Sequence, residues 1–130
     1  MFKSIIKICS MVLVLGVTLL DANPLNQSKD VDGMQVIVRS AQSMVVGSNE
    51  LFIEVSKDSK IISDLKILQI KVFMPEMPGM PYMESKANGE LVDGKYKVVV
   101  NLAMGGTWQY QVRFKSADGT KHKVRGSLNI

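Results

Sequence analysis

The chain has 130 residues, with 16 basic and 12 acidic side chains, nine methionines, one cysteine and one histidine. That length supports one modest core and excludes two full domains. A net charge of +4, scattered over alternating positions, leaves no nucleic-acid footprint, and one cysteine excludes a disulfide scaffold or a zinc ribbon.

Lys3 and Lys7 precede an apolar run over residues 8–20, which ends at Asp21-Ala22-Asn23-Pro24. This is the layout of a secretory signal peptide over residues 1–22, too short to be a comfortable membrane span. Cleavage is expected after Ala22, with an uncleaved anchor as the alternative. Cys9 lies in the run and leaves with it, so no thiol chemistry remains in the mature chain. The mature protein is expected in the periplasm or secreted, with 14 basic and 11 acidic residues. Residues 23–32 are polar and read as a flexible leader to a single domain over residues 33–130.

From Met34 onward the hydrophobic period is two. Met34, Val36 and Val38 alternate with Gln35 and Arg39, and Leu51, Ile53 and Val55 alternate with Glu54 and Ser56. Leu68, Ile70 and Val72 repeat the pattern, as do Tyr96, Val98, Val100 and Leu102. The clearest run is Trp108, Tyr110, Val112 and Phe114 against Gln109, Gln111, Arg113 and Lys115, and Val124, Gly126 and Leu128 close the series. Asp93-Gly94 and Asp118-Gly119 accept positive φ and close hairpins, and Val46-Gly47-Ser48-Asn49 and Gly105-Gly106 are looser turns. No useful helix-period segment interrupts them. The pattern predicts an all-β fold, an immunoglobulin-like antiparallel β-sandwich of six to seven strands.

Between the third and fourth runs the chain reads Met-Pro-Glu-Met-Pro-Gly-Met-Pro-Tyr-Met, with Met74, Met77, Met80 and Met83 at every third position. Thioether sulfur is a soft ligand that selects Cu(I). Pro75, Pro78 and Pro81 bias the segment toward polyproline II, which aligns the methionines on one edge with α-carbons ~9 Å apart. Gly79 is the expected bend that draws Met77, Met80 and Met83 together. Met74 continues the inward register of Leu68, Ile70 and Val72, so it reads as core as well as a fourth ligand. Methionine is also an adaptable packing and docking residue, which keeps a metal-free reading open.

Further donors depend on the strand order. If residues 84–92 form one strand, the loops of Met44 and Met104 share the methionine end; a hairpin at Asn88-Gly89 sends Met104 to the far end. Ordinary loop or core methionine is the plain reading of both. His122 starts the last strand, opposite the methionine loop by the same parity, and reads as a capping histidine before a metal ligand. Trp108 reads as a core anchor. Glu76 and Glu84 flank the cluster, where they would offset a bound cation or simply be solvated.

Residues 74–81, with Asp93-Gly94-Lys95-Tyr96 and Leu102-Ala103-Met104-Gly105-Gly106-Thr107-Trp108, resemble the YtkA-like and FixH-like domains over roughly residues 31–130. The resemblance implies a periplasmic immunoglobulin-like sandwich linked to copper tolerance or to copper delivery to membrane enzymes. This segment lacks the histidines that relatives place beside their methionines, which favours an all-thioether site for Cu(I), or the similarly soft Ag(I), over Cu(II). The expected function is sequestration of copper or its transfer to an efflux system. The alternative is a metal-free module docking a membrane-protein partner through the methionine loop. With one histidine, no Gly-x-Ser-x-Gly turn and no phosphate-cradling loop, the chain is not expected to be an enzyme.

Overall fold

The structure, a computed structural model, describes residues 24–130; the signal peptide expected over residues 1–22, with Cys9, lies outside them. Ten strands follow in order: β1 Pro24–Val31, β2 Met34–Ser43, β3 Gly47–Lys57, β4 Lys60–Ile62, β5 Ile67–Met74, β6 Met83–Asn88, β7 Glu90–Val92, β8 Lys95–Leu102, β9 Thr107–Lys115 and β10 Lys121–Asn129. One sheet runs β1-β2-β3-β8-β7 with β4 added beside β3, and the second runs β10-β9-β5-β6. All pairings are antiparallel. The two inner faces make one core, led by Trp108, Tyr110, Leu51, Ile53, Ile70 and Leu102. The fold is the all-β sandwich that the alternation requires, because each half-apolar strand can bury its apolar side only against another sheet.

The six predicted runs lie within β2, β3, β5, β8, β9 and β10, and the additional strands raise the count above six to seven. Residues 24–31 are not a loose leader but β1, an edge strand that buries only Leu25. Asp32-Gly33, with φ of 49° and 79°, turns it into β2, the two positive angles a tight primed hairpin turn needs. Asp58-Ser59 and Asp93-Gly94 make equivalent turns. β6 and β7 are a single run that changes sheets at Gly89. A β-carbon there would stand 2.9 Å from Leu68 Cδ2 and 3.1 Å from Tyr96 Cβ, so only glycine lets the run pass between the layers. Across the opposite margin, Gln27 joins the sheets: its amide nitrogen donates to Ser127 O at 2.7 Å, and its oxygen accepts from the Tyr110 hydroxyl at 2.6 Å. Burial pushes the Tyr110 phenol up to about 12.

The Tyr110 ring lies across Gly126 of the neighbouring strand, where any β-carbon would collide with it. Gly126→Ala is expected to cost about 1–3 kcal/mol, as overpacking of a filled core does. Most of that cost should vanish in a Tyr110→Leu background, read as coupling in a double-mutant cycle by urea unfolding. At the β9–β10 turn, Asp118 accepts from Ser116 Oγ at 2.6 Å and from Thr120 N at 3.0 Å. These bonds, the Ser116 hydroxyl first, hold its carboxyl down from 3.8 to about 2. The depressed value means the contact supports the turn above the ordinary carboxylate pKa and is lost as pH falls toward about 2. A carboxyl titration by NMR should place its midpoint there, and Ser116→Ala should move it upward.

Candidate functional site

The methionine segment bends at Gly79 as expected, but its arms form a paired hairpin and not the polyproline course that its prolines suggest. Met83 pairs with Met74 as the last rung of β5 and β6. Beyond it, Met77 N donates to Met80 O at 3.0 Å and Met80 N to Met77 O at 2.8 Å. Pro78 and Gly79 fill the turn between them, with Gly79 at φ 80°, the glycine position of a type II turn with proline before it. Backbone hydrogen bonds override the polyproline preference, because Pro75, Pro78 and Pro81 occupy positions that donate none of them. The methionines therefore stand as two directly opposed pairs, Met74 with Met83 and Met77 with Met80. Opposed residues have β-carbons about 4.5–5.5 Å apart, well inside the ~9 Å of the extended course.

Burial divides the four. Met74 is 4% exposed, whereas Met77 is 47% exposed; Met80 and Met83 are half-buried against the core. Two other loops share this end. Gly106 packs on Met74, since a β-carbon there would lie 3.2 Å from Met74 Cε, and the Trp108 indole donates to Met104 O at 3.0 Å. The Met44 loop adjoins because Gly47 pairs with Leu102, the last residue before the Met104 loop. Asn49, buried, fixes the Met44 loop by accepting from Val45 N at 2.8 Å and donating to Val45 O at 2.7 Å. The sequence reading missed this role, although an asparagine just after a Gly-Ser turn is the residue type that bonds backward to the backbone. Met44 and Met104 are half-buried like Met80 and Met83, so six thioethers gather at one end of the sandwich.

The charges around this end are sparse. Glu76 is exposed in the turn, and Glu84 meets Lys86 at 3.6 Å. Loss of solvent contact, and then the Glu84 carboxylate, raise the Tyr82 phenol above its ordinary value; Tyr82 stacks on Phe73 at 6.1 Å. Trp108 is core, 1% exposed. His122 is at the other end. It pairs with Phe114, six residues along β9 from Trp108, ~20 Å at strand rise. There its Nδ1 meets Asp32 Oδ2 at 2.6 Å, Nε2 lies 3.3 Å from Ser116 Oγ, and the ring stacks on Phe114. Among the described residues no group of three or more His, Cys, Asp or Glu side chains is gathered, and no helix is long and apolar enough to cross a membrane.

Comparison with curated proteins and with solved structures finds no match for the sequence. The YtkA-like family matches residues 28–113, more than half of the chain, from within β1 to within β9 and through the whole methionine hairpin. The chain belongs to the YtkA-like family.

Proposed function

We propose that the protein is a periplasmic or secreted carrier of Cu(I), which it holds through thioethers of the methionine hairpin for copper tolerance, sequestration or transfer to an efflux system. The observation that supports this reading is the pairing of Met77 with Met80 and of Met74 with Met83. Metal–sulfur bonds of ~2.3 Å put two sulfurs on one ion at most ~4.6 Å apart, a separation that opposed side chains reach without backbone movement. Met77, Met80 and Met83 are the ligands, with Met104 and Met44 within the same end of the fold and Met74 beneath them as the buried member. Thioethers carry no proton to displace, so retention is expected to stay level from neutral to mildly acidic pH. Ag(I) fits the same donors.

The test is anaerobic titration of the chain from residue 23 onward with Cu(I) against a colorimetric chelator. One equivalent withheld from the chelator supports the carrier reading; none withheld at micromolar competitor ends it.

A second reading has its own observation. Val45, Val46, Met77 and Tyr82 are large apolar side chains, 44–58% exposed, and all lie on the loops of the methionine end. A metal-free module docking a membrane-protein partner through this end would use them as an adaptable apolar surface. Leucine in place of the methionines separates the two readings, because it keeps the apolar surface and removes the sulfur.

A further inference from the structure

Seven of the cations that look scattered along the sequence meet on one face. Strand order β10-β9-β5-β6 stacks Lys121, Lys115 and Ile67 in one outward row, and Lys123, Arg113 and Gln69 in the next. The third row is Arg125, Gln111, Lys71 and Lys86. Lys115 is thus directly opposite Lys121, Arg113 opposite Lys123, and Lys71 opposite Lys86. Like charges directly opposed in a sheet are destabilising, so this face costs the fold something that an external anion would return. The only acidic residue in these four strands is Glu84, in the row beyond, paired with Lys86. The outer face of the other sheet is built oppositely. There Arg39 lies 3.9 Å from Glu54, and Lys97 lies 3.4 Å from Glu50.

The shape and chemistry of the face select among anionic partners. It is the face of a four-stranded sheet, broader than the helix or two-stranded ribbon that a DNA major groove admits. The rings that line its larger depression, Phe114 and His122, are buried and stacked on each other, so neither offers a free face on which bases would stack. Five of its seven cations are lysines, which protein interfaces avoid because a compact ammonium is costly to dehydrate; a lipid headgroup layer leaves that ammonium hydrated. Two depressions mark the face. One of about 520 Å³ lies between Arg113, Lys115, Lys121 and Lys123, beside Ile67. The other, of about 140 Å³, is lined by Gln69, Lys71, Lys86, Gln111 and Arg113. Ile67, 53% exposed, supplies an apolar contact at the edge of the cationic rows.

We infer that the outer face of the β10-β9-β5-β6 sheet docks the protein on an anionic phospholipid surface, with lipid phosphates between the opposed cations. The assignment does not depend on copper. The full mature chain would be sedimented with phosphatidylcholine vesicles, with and without about one quarter phosphatidylglycerol, at about 50 mM and about 500 mM salt. Binding is expected only with the anionic lipid and only at the lower salt. Each cation near such a surface is worth about fivefold in partition. The variant Lys115→Gln, Lys121→Gln, Lys123→Gln should therefore bind about a hundredfold more weakly, with an unchanged or raised melting temperature. Arg39→Gln, Lys95→Gln, Lys97→Gln removes the same charge from the other sheet and should bind as the parent does. So should Met77→Leu, Met80→Leu, Met83→Leu, which keeps this test separate from the copper titration. Equal binding to neutral vesicles, no binding at low salt, or equal losses in the two charge variants would overturn the inference. Tighter capture of duplex DNA or of an acidic peptide than of vesicles at the same salt would overturn it too.

Discussion

The combined substitution Met77→Leu, Met80→Leu, Met83→Leu is expected to abolish retention of Cu(I) while leaving the sandwich folded. Leucine and methionine are close in volume, and such exchanges usually cost below about 1.5 kcal/mol. Met77 is exposed and Met80 and Met83 are half-buried, so little packing is at stake. What disappears is the soft donor. Loss of outer-shell support alone typically lowers metal affinity ~10–100-fold, and removing direct ligands should exceed that range. Met77 and Met80 form one opposed pair, so Met77→Leu and Met80→Leu should be non-additive in chelator competition. Met80→His should retain part of the affinity at neutral pH and lose it on acidification, as imidazole protonates and thioether does not. Full retention of copper by the triple leucine variant would show that the hairpin sulfurs are not the ligands.

Trp108→Ala is expected to be the most damaging single change in the chain, costing about 3–5 kcal/mol. The ring is 1% exposed, and its truncation opens a cavity between β9 and the facing sheet. Domains of this kind have about 5–15 kcal/mol in all, so the variant should unfold at much lower urea with an unchanged denaturant slope. The milder Trp108→Phe separates packing from positioning. It keeps an aromatic ring in the core but removes the indole N–H that holds Met104 O, a loss of about 1 kcal/mol. The Met104 loop should then exchange its amides faster, while the centres of β3 and β5 stay protected.

How much was legible follows from what each element buries. β2, β3, β5, β8, β9 and β10 each place at least two large apolar side chains in the core, and that is what period-two reading detects. β1 buries Leu25 alone, and β7 is exposed throughout; their backbones pair at sheet edges, where side chains need not alternate. β1 still had a local signal in Asp32-Gly33, a turn pair of the same kind as Asp93-Gly94. In the methionine segment, composition gave the residues and the bend at Gly79, but not the paired hairpin that the bend closes. Proline statistics describe a free chain, whereas here β5 and β6 enter the segment already paired and oblige it to close at Pro78-Gly79. The gathering of Met44 and Met104 at the same end depends on the sheet change at Gly89, whose need for glycine comes from Leu68 and Tyr96, residues distant in sequence. The basic face was invisible for a related reason: each strand shows two or three outward cations, and only the order of the strands sets them opposite one another.

The two margins of the sandwich are fastened in different ways. On one side a continuous peptide chain passes through Gly89 from layer to layer; on the other, side chains bridge the layers, Gln27 of β1 to Ser127 and Tyr110 and Asp32, just past β1, to His122 of β10. The molecule is bound like a book, with a covalent spine and a hydrogen-bonded clasp. Local opening between the layers is therefore expected to start at the clasp, which hydrogen exchange would show as faster amides in β1 than in β6. β6, which carries one arm of the methionine hairpin, is part of that spine, so the hairpin sits on the margin that a covalent crossing holds together.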